Sequence, residues 1–99
     1  MQIQFEFVNL KHSERLEQMT REKLEKLATR YDFLVRADVF FKKENTPDDK
    51  GQQCNIRLSL PGPQIYAESD ETTFEGAMHE TMRDLEVQLK KRKAVMSPY

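Results

Sequence analysis

The spacing of apolar residues along this chain changes period several times, and each change marks the border of a predicted element. Four short segments alternate apolar and polar residues, which is typical of strands with one buried face. Two longer segments repeat apolar residues every three or four positions, which places them on one side of a helix. In chain order the predicted elements are a strand over residues 2–9, a helix over 14–31, strands over 37–43, 53–60 and 64–69, and a helix over 71–93.

The last predicted helix carries the longest apolar stripe. Its start is a capping-box pattern, in which the Thr72 hydroxyl accepts from the N–H of Glu75 and the Glu75 side chain reaches back. Ser13 is the predicted N-cap of the first helix. Four cations, residues 90–93, follow at the negative end of the second helix dipole. The stripe that should pack on a core comprises Phe74, Ala77, Met78, Met82, Leu85 and Leu89.

The order of the elements is strand, helix, strand, strand, strand, helix. The first helix is long enough to be a crossover, so the first two strands should be parallel. A loop over residues 44–52 and a tight turn at 61–63 should make strands two to four an antiparallel meander. The pattern predicts an α+β fold, a two-layer βαβββα sandwich in which both helices cover one face of a four-stranded mixed sheet. Residues 1–99 should form one domain, with 94–99 as a frayed tail because Pro98 cannot continue a helix.

Composition narrows the class of protein. One third of the 99 residues are charged and 37% are apolar, which is typical of a soluble globular protein with a modest core. No apolar run approaches the roughly 20 residues of a membrane span, and the N-terminus lacks the pattern of a signal peptide. Cys54 is the single cysteine, which excludes an internal disulfide and indicates a reducing compartment such as the cytoplasm. The net charge is −1, so phosphate binding would depend on a local concentration of positive charge.

Catalytic and metal-binding patterns are poor. Residues 79–83 begin like the zinc helix motif H-E-x-x-H, but Arg83 occupies the second ligand position and a guanidinium does not coordinate zinc. His12 lies at a strand–helix junction, where a polar residue is expected. Cys54 could in principle pair with a histidine as a nucleophile, but it alternates with Ile56 and is expected to be buried and inert. The sequence therefore predicts no enzyme, no metal and no cofactor.

The basic residues offer a clearer pattern. Helical spacing places four cations on one flank of the first helix, namely Arg15, Lys23, Lys26 and Arg30. On the second helix Arg83, Lys90 and Lys93 share one flank, where Glu75 and Glu86 interrupt them, while Glu80 and Asp84 lie on the other flank. Helices packed side by side would present both flanks to one RNA surface and contact phosphate. The alternatives are a solvated helix surface with local ion pairs and an ordinary basic helix end. The candidate RNA-binding residues are Lys23, Lys26, Arg30, Arg83, Lys90, Lys91, Arg92 and Lys93.

The open face of the predicted sheet is a second candidate. Phe40, Lys42, Arg57 and Tyr66 should point outward there, and aromatic side chains on an exposed sheet can stack unpaired bases. Two observations disfavour this interpretation. The strand order is not that of the RRM fold, and the chain has no RNP-like run of glycine and aromatic residues.

Several segments together resemble a known family. They are a first helix with residues 23–27 ahead of Tyr31, the strand over 37–42, residues 65–68, and residues 74–77 followed by 85–91. The chain resembles the ribosome hibernation promoting factors, also called sigma-54 modulation or ribosome-associated inhibitor proteins. The resemblance spans essentially all 99 residues and rests on a combination of patterns, with no catalytic signature.

The resemblance implies a protein that binds the small ribosomal subunit in the mRNA and tRNA channel and silences translation in stationary phase or stress. Family members contact ribosomal RNA mainly through basic residues of the two helices, and the candidate residues above occupy those positions. The chain resembles a short form without the C-terminal dimerisation domain, so it should be a monomer off the ribosome. The alternative is a module of the same fold that binds a non-ribosomal protein partner.

Overall fold

The computed structural model describes residues 1–47 and 50–96. The six predicted elements are present in the predicted order: β1 (Gln2–Val8), α1 (Glu14–Arg30), β2 (Arg36–Lys43), β3 (Gln52–Ser59), β4 (Ile65–Glu71) and α2 (Phe74–Met96). The prediction that α2 ends at Lys93 is wrong, because the helix continues through Met96. Residues 97–99 of the expected frayed tail, which include Pro98, lie outside the described residues.

The four strands form one mixed sheet in the order β1-β2-β3-β4. β1 and β2 are parallel, whereas β2, β3 and β4 form an antiparallel meander. The register aligns Phe5, Val39, Ile56 and Ala67 in one row across the sheet. Because side chains alternate between faces, this row and every second row on either side of it point to the same face and meet both helices. The predicted α+β two-layer sandwich, with both helices on one face, is confirmed.

The core lies between that face and the helices. Phe41, Ile56 and Leu58 of the sheet are fully buried, as are Leu24 of α1 and Leu85 of α2. They belong to one cluster that includes apolar residues of every element except β1, whose phenylalanines pack at its border. The two helices therefore share a single core and are fixed side by side.

Phe5 and Phe7 of β1 are only half-buried, although they point to the covered face of the sheet. β1 is an edge strand and has a neighbour on one side only. Contacts with polar groups cover part of the exposed rings instead. The Arg21 guanidinium lies 5.4 Å from the centroid of the Phe5 ring, and the His12 ring meets Phe7 edge-on at 5.0 Å. The chain thus covers its exposed edge with a cation and an imidazole.

The capping residue of α2 differs from the predicted one. Thr73, rather than Thr72, is the cap, and its hydroxyl accepts a hydrogen bond from the N–H of Gly76 at 2.9 Å. Glu75 is then one position too early to complete a capping box and pairs with Arg15 of α1 instead. A Cβ built on Gly76 would lie 3.0 Å from the capping oxygen of Thr73. Glycine at this position therefore leaves room for the cap, which accounts for a residue that is otherwise a poor helix former.

Cys54 provides a test of the core. Its thiol is fully buried, and burial raises its pKa to about 12, so the reactive thiolate is scarce at neutral pH. Thr81 of α2 donates to the Cys54 carbonyl at 3.0 Å and holds the helix over this position. We expect a thiol reagent such as DTNB to label the native protein at least about 100-fold more slowly than the protein in 8 M urea. Equal rates would show that the helix does not cover β3 as described.

Candidate nucleic-acid interface

The two helices run in the same direction. Arg15, in the first turn of α1, pairs with Glu75 in the first turn of α2. Near the other end, Arg30 Nη2 of α1 lies 3.5 Å from Glu86 Oε2 of α2. Parallel helices place both positive dipole ends at one end of the layer and both negative ends at the other. The end with the negative poles is the one that carries Arg30 and residues 90–93.

A groove runs between the helices, with a volume of about 470 Å³. Leu27 and Met82 form its buried base. Four of the candidate cations line it together with two carboxylates, so its charge is positive although the whole chain is slightly acidic. This surface is called the helix groove below, and its polar residues are Lys23, Lys26, Arg30, His79, Glu80, Arg83 and Glu86.

The lysines and arginines of the helix groove differ in their contacts. Within residues 1–47 and 50–96, Lys23 and Lys26 form neither an ion pair nor a side-chain hydrogen bond. By contrast, Arg30 is paired with Glu86, and Arg83 Nη1 lies 3.2 Å from Glu80 Oε1. The lysine ammonium groups are thus available to an incoming phosphate at once, whereas each guanidinium must first exchange its carboxylate.

The basic cluster at the helix ends is organised around Tyr31. Its ring is buried, and the Arg30 guanidinium and the Lys93 ammonium lie 5.6 and 5.5 Å from its centroid. Lys93 also donates to the Arg30 carbonyl at 3.4 Å, which places it at the end of α1. A hydrogen bond with Tyr31 and the nearby Glu86 carboxylate raise the pKa of Arg30. Lys90 is seven residues after Arg83 and lies on the same flank of α2, so the positive surface continues along it.

Two predicted site residues lie elsewhere. The Arg92 guanidinium donates to the Pro61 carbonyl at 3.2 Å, in the turn between β3 and β4, and its side chain is half-buried. Lys91 comes three residues after Gln88, whose amide donates to the Tyr66 carbonyl of β4. Lys91 is therefore on the flank of α2 that faces β4 and not on the groove flank. The structure therefore does not bring residues 90–93 together on the groove flank, because successive helical residues point about 100° apart.

Glu80 and Arg15 differ from their sequence-based assignments. Glu80 was expected on the far flank of α2, but its carboxylate bends toward Arg83 and lines the groove. Arg15, which helical spacing places on the same flank of α1 as Lys23 and Lys26, is not among the residues that line the helix groove. Its contact with Glu75 links the first turns of the two helices.

The open face of the sheet has a different electrostatic character. Asp38 points to this face, but it is only 8% exposed because Arg36 and Arg57 pair with it, at 2.9 and 3.7 Å. Lys42 pairs with Glu44 in the same way, at 3.1 Å. The Tyr66 hydroxyl donates to Glu68, and its pKa is raised by burial and by that carboxylate. This face is therefore one of neutralised charges, unlike the helix groove with its unpaired lysines.

The described part of the chain lacks two other kinds of feature. No group of three histidine, cysteine, aspartate or glutamate side chains there is arranged to hold a metal ion. No described helix is long and apolar enough to cross a membrane.

Comparison with known proteins gives a family match and close structural neighbours. The family model described as sigma 54 modulation protein / S30EA ribosomal protein matches residues 3–97. A ribosomal subunit interface protein from Coxiella burnetii superposes with a TM-score of 0.80 at 25% identity, covering 95% of this chain and 99% of that one. The N-terminal domain of Thermus thermophilus Protein Y gives a TM-score of 0.78 at 24% identity, covering 92% and 98%. No curated protein sequence matches the chain.

Proposed function

This chain belongs to the sigma 54 modulation protein / S30EA ribosomal protein family, and from that membership we propose that it is a ribosome-associated translation inhibitor. It binds RNA of the small ribosomal subunit in the mRNA and tRNA channel, under stress or in stationary phase, and acts as a hibernation factor. One observation supports this beyond the family. A chain with a net charge of −1 gathers Lys23, Lys26, Arg30 and Arg83 in a single groove.

The groove suits phosphate contact rather than base readout. Its cations come from two rigid helices fixed on one core, so their spacing is set before RNA arrives. Lys23 and Lys26 offer unpaired ammonium groups, and phosphate contacts of this kind fix position without reading sequence. Translation is then inhibited because the protein occupies the channel, which mRNA and tRNA cannot enter at the same time. No catalytic step and no cofactor enter this mechanism.

Further properties follow from the same proposal. Residues 1–99 act as one ribosome-binding domain that is monomeric off the ribosome. A partner of this kind places the protein in the cytoplasm. Fully buried, inert Cys54 is consistent with a reducing compartment, because it neither needs nor offers a disulfide.

The salt dependence of binding to purified small ribosomal subunits tests the proposal. Four to six phosphate contacts from the groove and the adjacent Lys90 and Lys93 predict a slope of log K against log salt of roughly −3 to −5. Sedimentation of the protein with subunits at several potassium concentrations between 50 and 200 mM measures that slope. Binding that is undetectable at 50 mM would contradict the proposal.

The alternative function is a module of the same fold that binds a non-ribosomal protein. The observation that favours it is the open sheet face, where Asp38 is held between two arginines and Tyr66 is half-exposed. Such a mixed surface suits a protein partner better than a phosphate backbone. Binding to the ribosome with a slope near zero, or none at all, would favour this alternative over RNA contact.

A further inference from the structure

The arginines along the seam between the two helices share one arrangement. Arg15, Arg30 and Arg83 each pair with a glutamate, and all three glutamates belong to α2. Lys23 and Lys26 form no ion pair among the described residues, so a cation on this surface does not necessarily have a carboxylate beside it. The carboxylates thus occupy the positions beside the guanidinium groups that a phosphate would take, because both anions accept two hydrogen bonds from the same fork of N–H donors.

We propose that Glu80 and Glu86 are specificity-determining residues of the helix groove, which exclude RNA that cannot place phosphates at Arg83 and Arg30 together. This inference rests on the proposed function and adds a reason for the acidic residues in the site. A flexible single strand that lies along the groove brings its phosphates near the carboxylates and is repelled. A folded RNA surface with phosphates at fixed positions can displace both carboxylates at once.

The exposure of these pairs makes the exchange feasible. The Arg83 and Arg30 side chains are 80% and 60% exposed, and those of Glu80 and Glu86 are 50% and 46% exposed. Exposed ion pairs of this kind contribute little to folding stability, so a phosphate can replace the carboxylate without opening the core. A phosphate and a carboxylate about 4 Å apart in a medium as polar as water repel enough to weaken binding about fivefold.

The test is the Glu80→Gln/Glu86→Gln variant, with poly(U) and purified small ribosomal subunits as the two RNA probes. Removal of both carboxylates should raise the affinity for poly(U) by about 10- to 30-fold. The salt slope for poly(U) should steepen by roughly 1.4, because two arginines become free for single-stranded phosphate. The affinity for small subunits should rise less, so the ratio of the affinity for the subunit to the affinity for poly(U) should fall.

The matched control is Glu22→Gln/Glu25→Gln, which changes the net charge equally on the opposite flank of α1. A general charge effect would raise poly(U) binding as much in the control as in the test variant, and that result would overturn the inference. A loss of poly(U) affinity in the test variant would also overturn it, since the carboxylates would then be positioning the arginines.

The two proposals can fail separately. If the wild-type protein does not bind small subunits, the proposed function is wrong, regardless of the affinity for poly(U). Normal small-subunit binding with an unchanged poly(U) affinity and slope in the variant counts against the role of Glu80 and Glu86 alone. Thermal melting of each variant checks that folding is unaffected.

Discussion

Reversing two charges in the Lys23→Glu/Lys26→Glu variant is expected to weaken binding to small ribosomal subunits by roughly a thousandfold while leaving the fold intact. Each lysine loses an attraction of about 1 kcal/mol at 4 Å from a phosphate and gains a repulsion of the same size. Two reversals therefore cost about 4 kcal/mol, which corresponds to the stated loss of affinity. Neither lysine has an ion pair among residues 1–47 and 50–96, so stability should change by less than about 0.5 kcal/mol. Sedimentation with subunits and thermal melting measure the two quantities.

The control for this variant is Lys11→Glu/Lys43→Glu. Both lysines are exposed, and neither lies in the helix groove, so the same change in net charge should affect binding far less. Phe40→Ala with Tyr66→Ala tests the open face of the sheet and should have little effect. If these aromatic residues matter and Lys23 and Lys26 do not, RNA is stacked on the sheet and the assignment of the groove is wrong.

Leu85→Ala is expected to cause a large loss of stability. Leu85 is fully buried in the shared core, and its truncation leaves a cavity that rigid neighbours on two layers cannot fill. Such substitutions cost about 2–5 kcal/mol, a large share of the roughly 5–15 kcal/mol that stabilises a domain. In a urea titration the midpoint should fall while the slope of the transition stays the same.

Val87 gives the matched comparison, because it lies on the same helix and its side chain is 54% exposed. Val87→Ala should change stability by no more than about 0.5 kcal/mol. Equal losses in the two variants would mean that α2 does not present the described face to the sheet. A wild-type midpoint for Leu85→Ala would lead to the same conclusion.

The sequence predicted the fold well because local pattern and tertiary packing agree in nearly every element. Alternation in β2 and β3 determines which face is buried, and a long helix between two strands favours a parallel pair. The prediction that Ser13 caps α1 is also confirmed, because its hydroxyl accepts a hydrogen bond from the N–H of Leu16 at 3.2 Å. The cap of α2 was not, because Thr72 and Thr73 can both serve. The choice depends on where the chain turns after β4 ends at Glu71.

The site was predicted only in part, for a different physical reason. The flank with Lys23, Lys26 and Arg30 follows from helical spacing, which is local. The positions of Arg92 and Lys93 follow from contacts with Pro61 and with the end of α1, which are distant in the chain. Because a long side chain can reach either way from its helix, spacing alone does not determine which surface it joins.

The molecule measures 49 by 24 by 18 Å. Because α1 and α2 run in the same direction, the two ends of the helix layer differ in charge. At one end, Glu14 and Glu17 follow the start of α1, and Glu75 neutralises Arg15. At the opposite end, the helices finish among lysines and arginines. Charge separated in this way forms an electric dipole along the helices, and a strongly negative RNA cleft would rotate the molecule before contact. The protein would approach the RNA with its basic end first. RNA would repel a molecule that approached with its acidic end, so electrostatics would set the orientation before any contact forms.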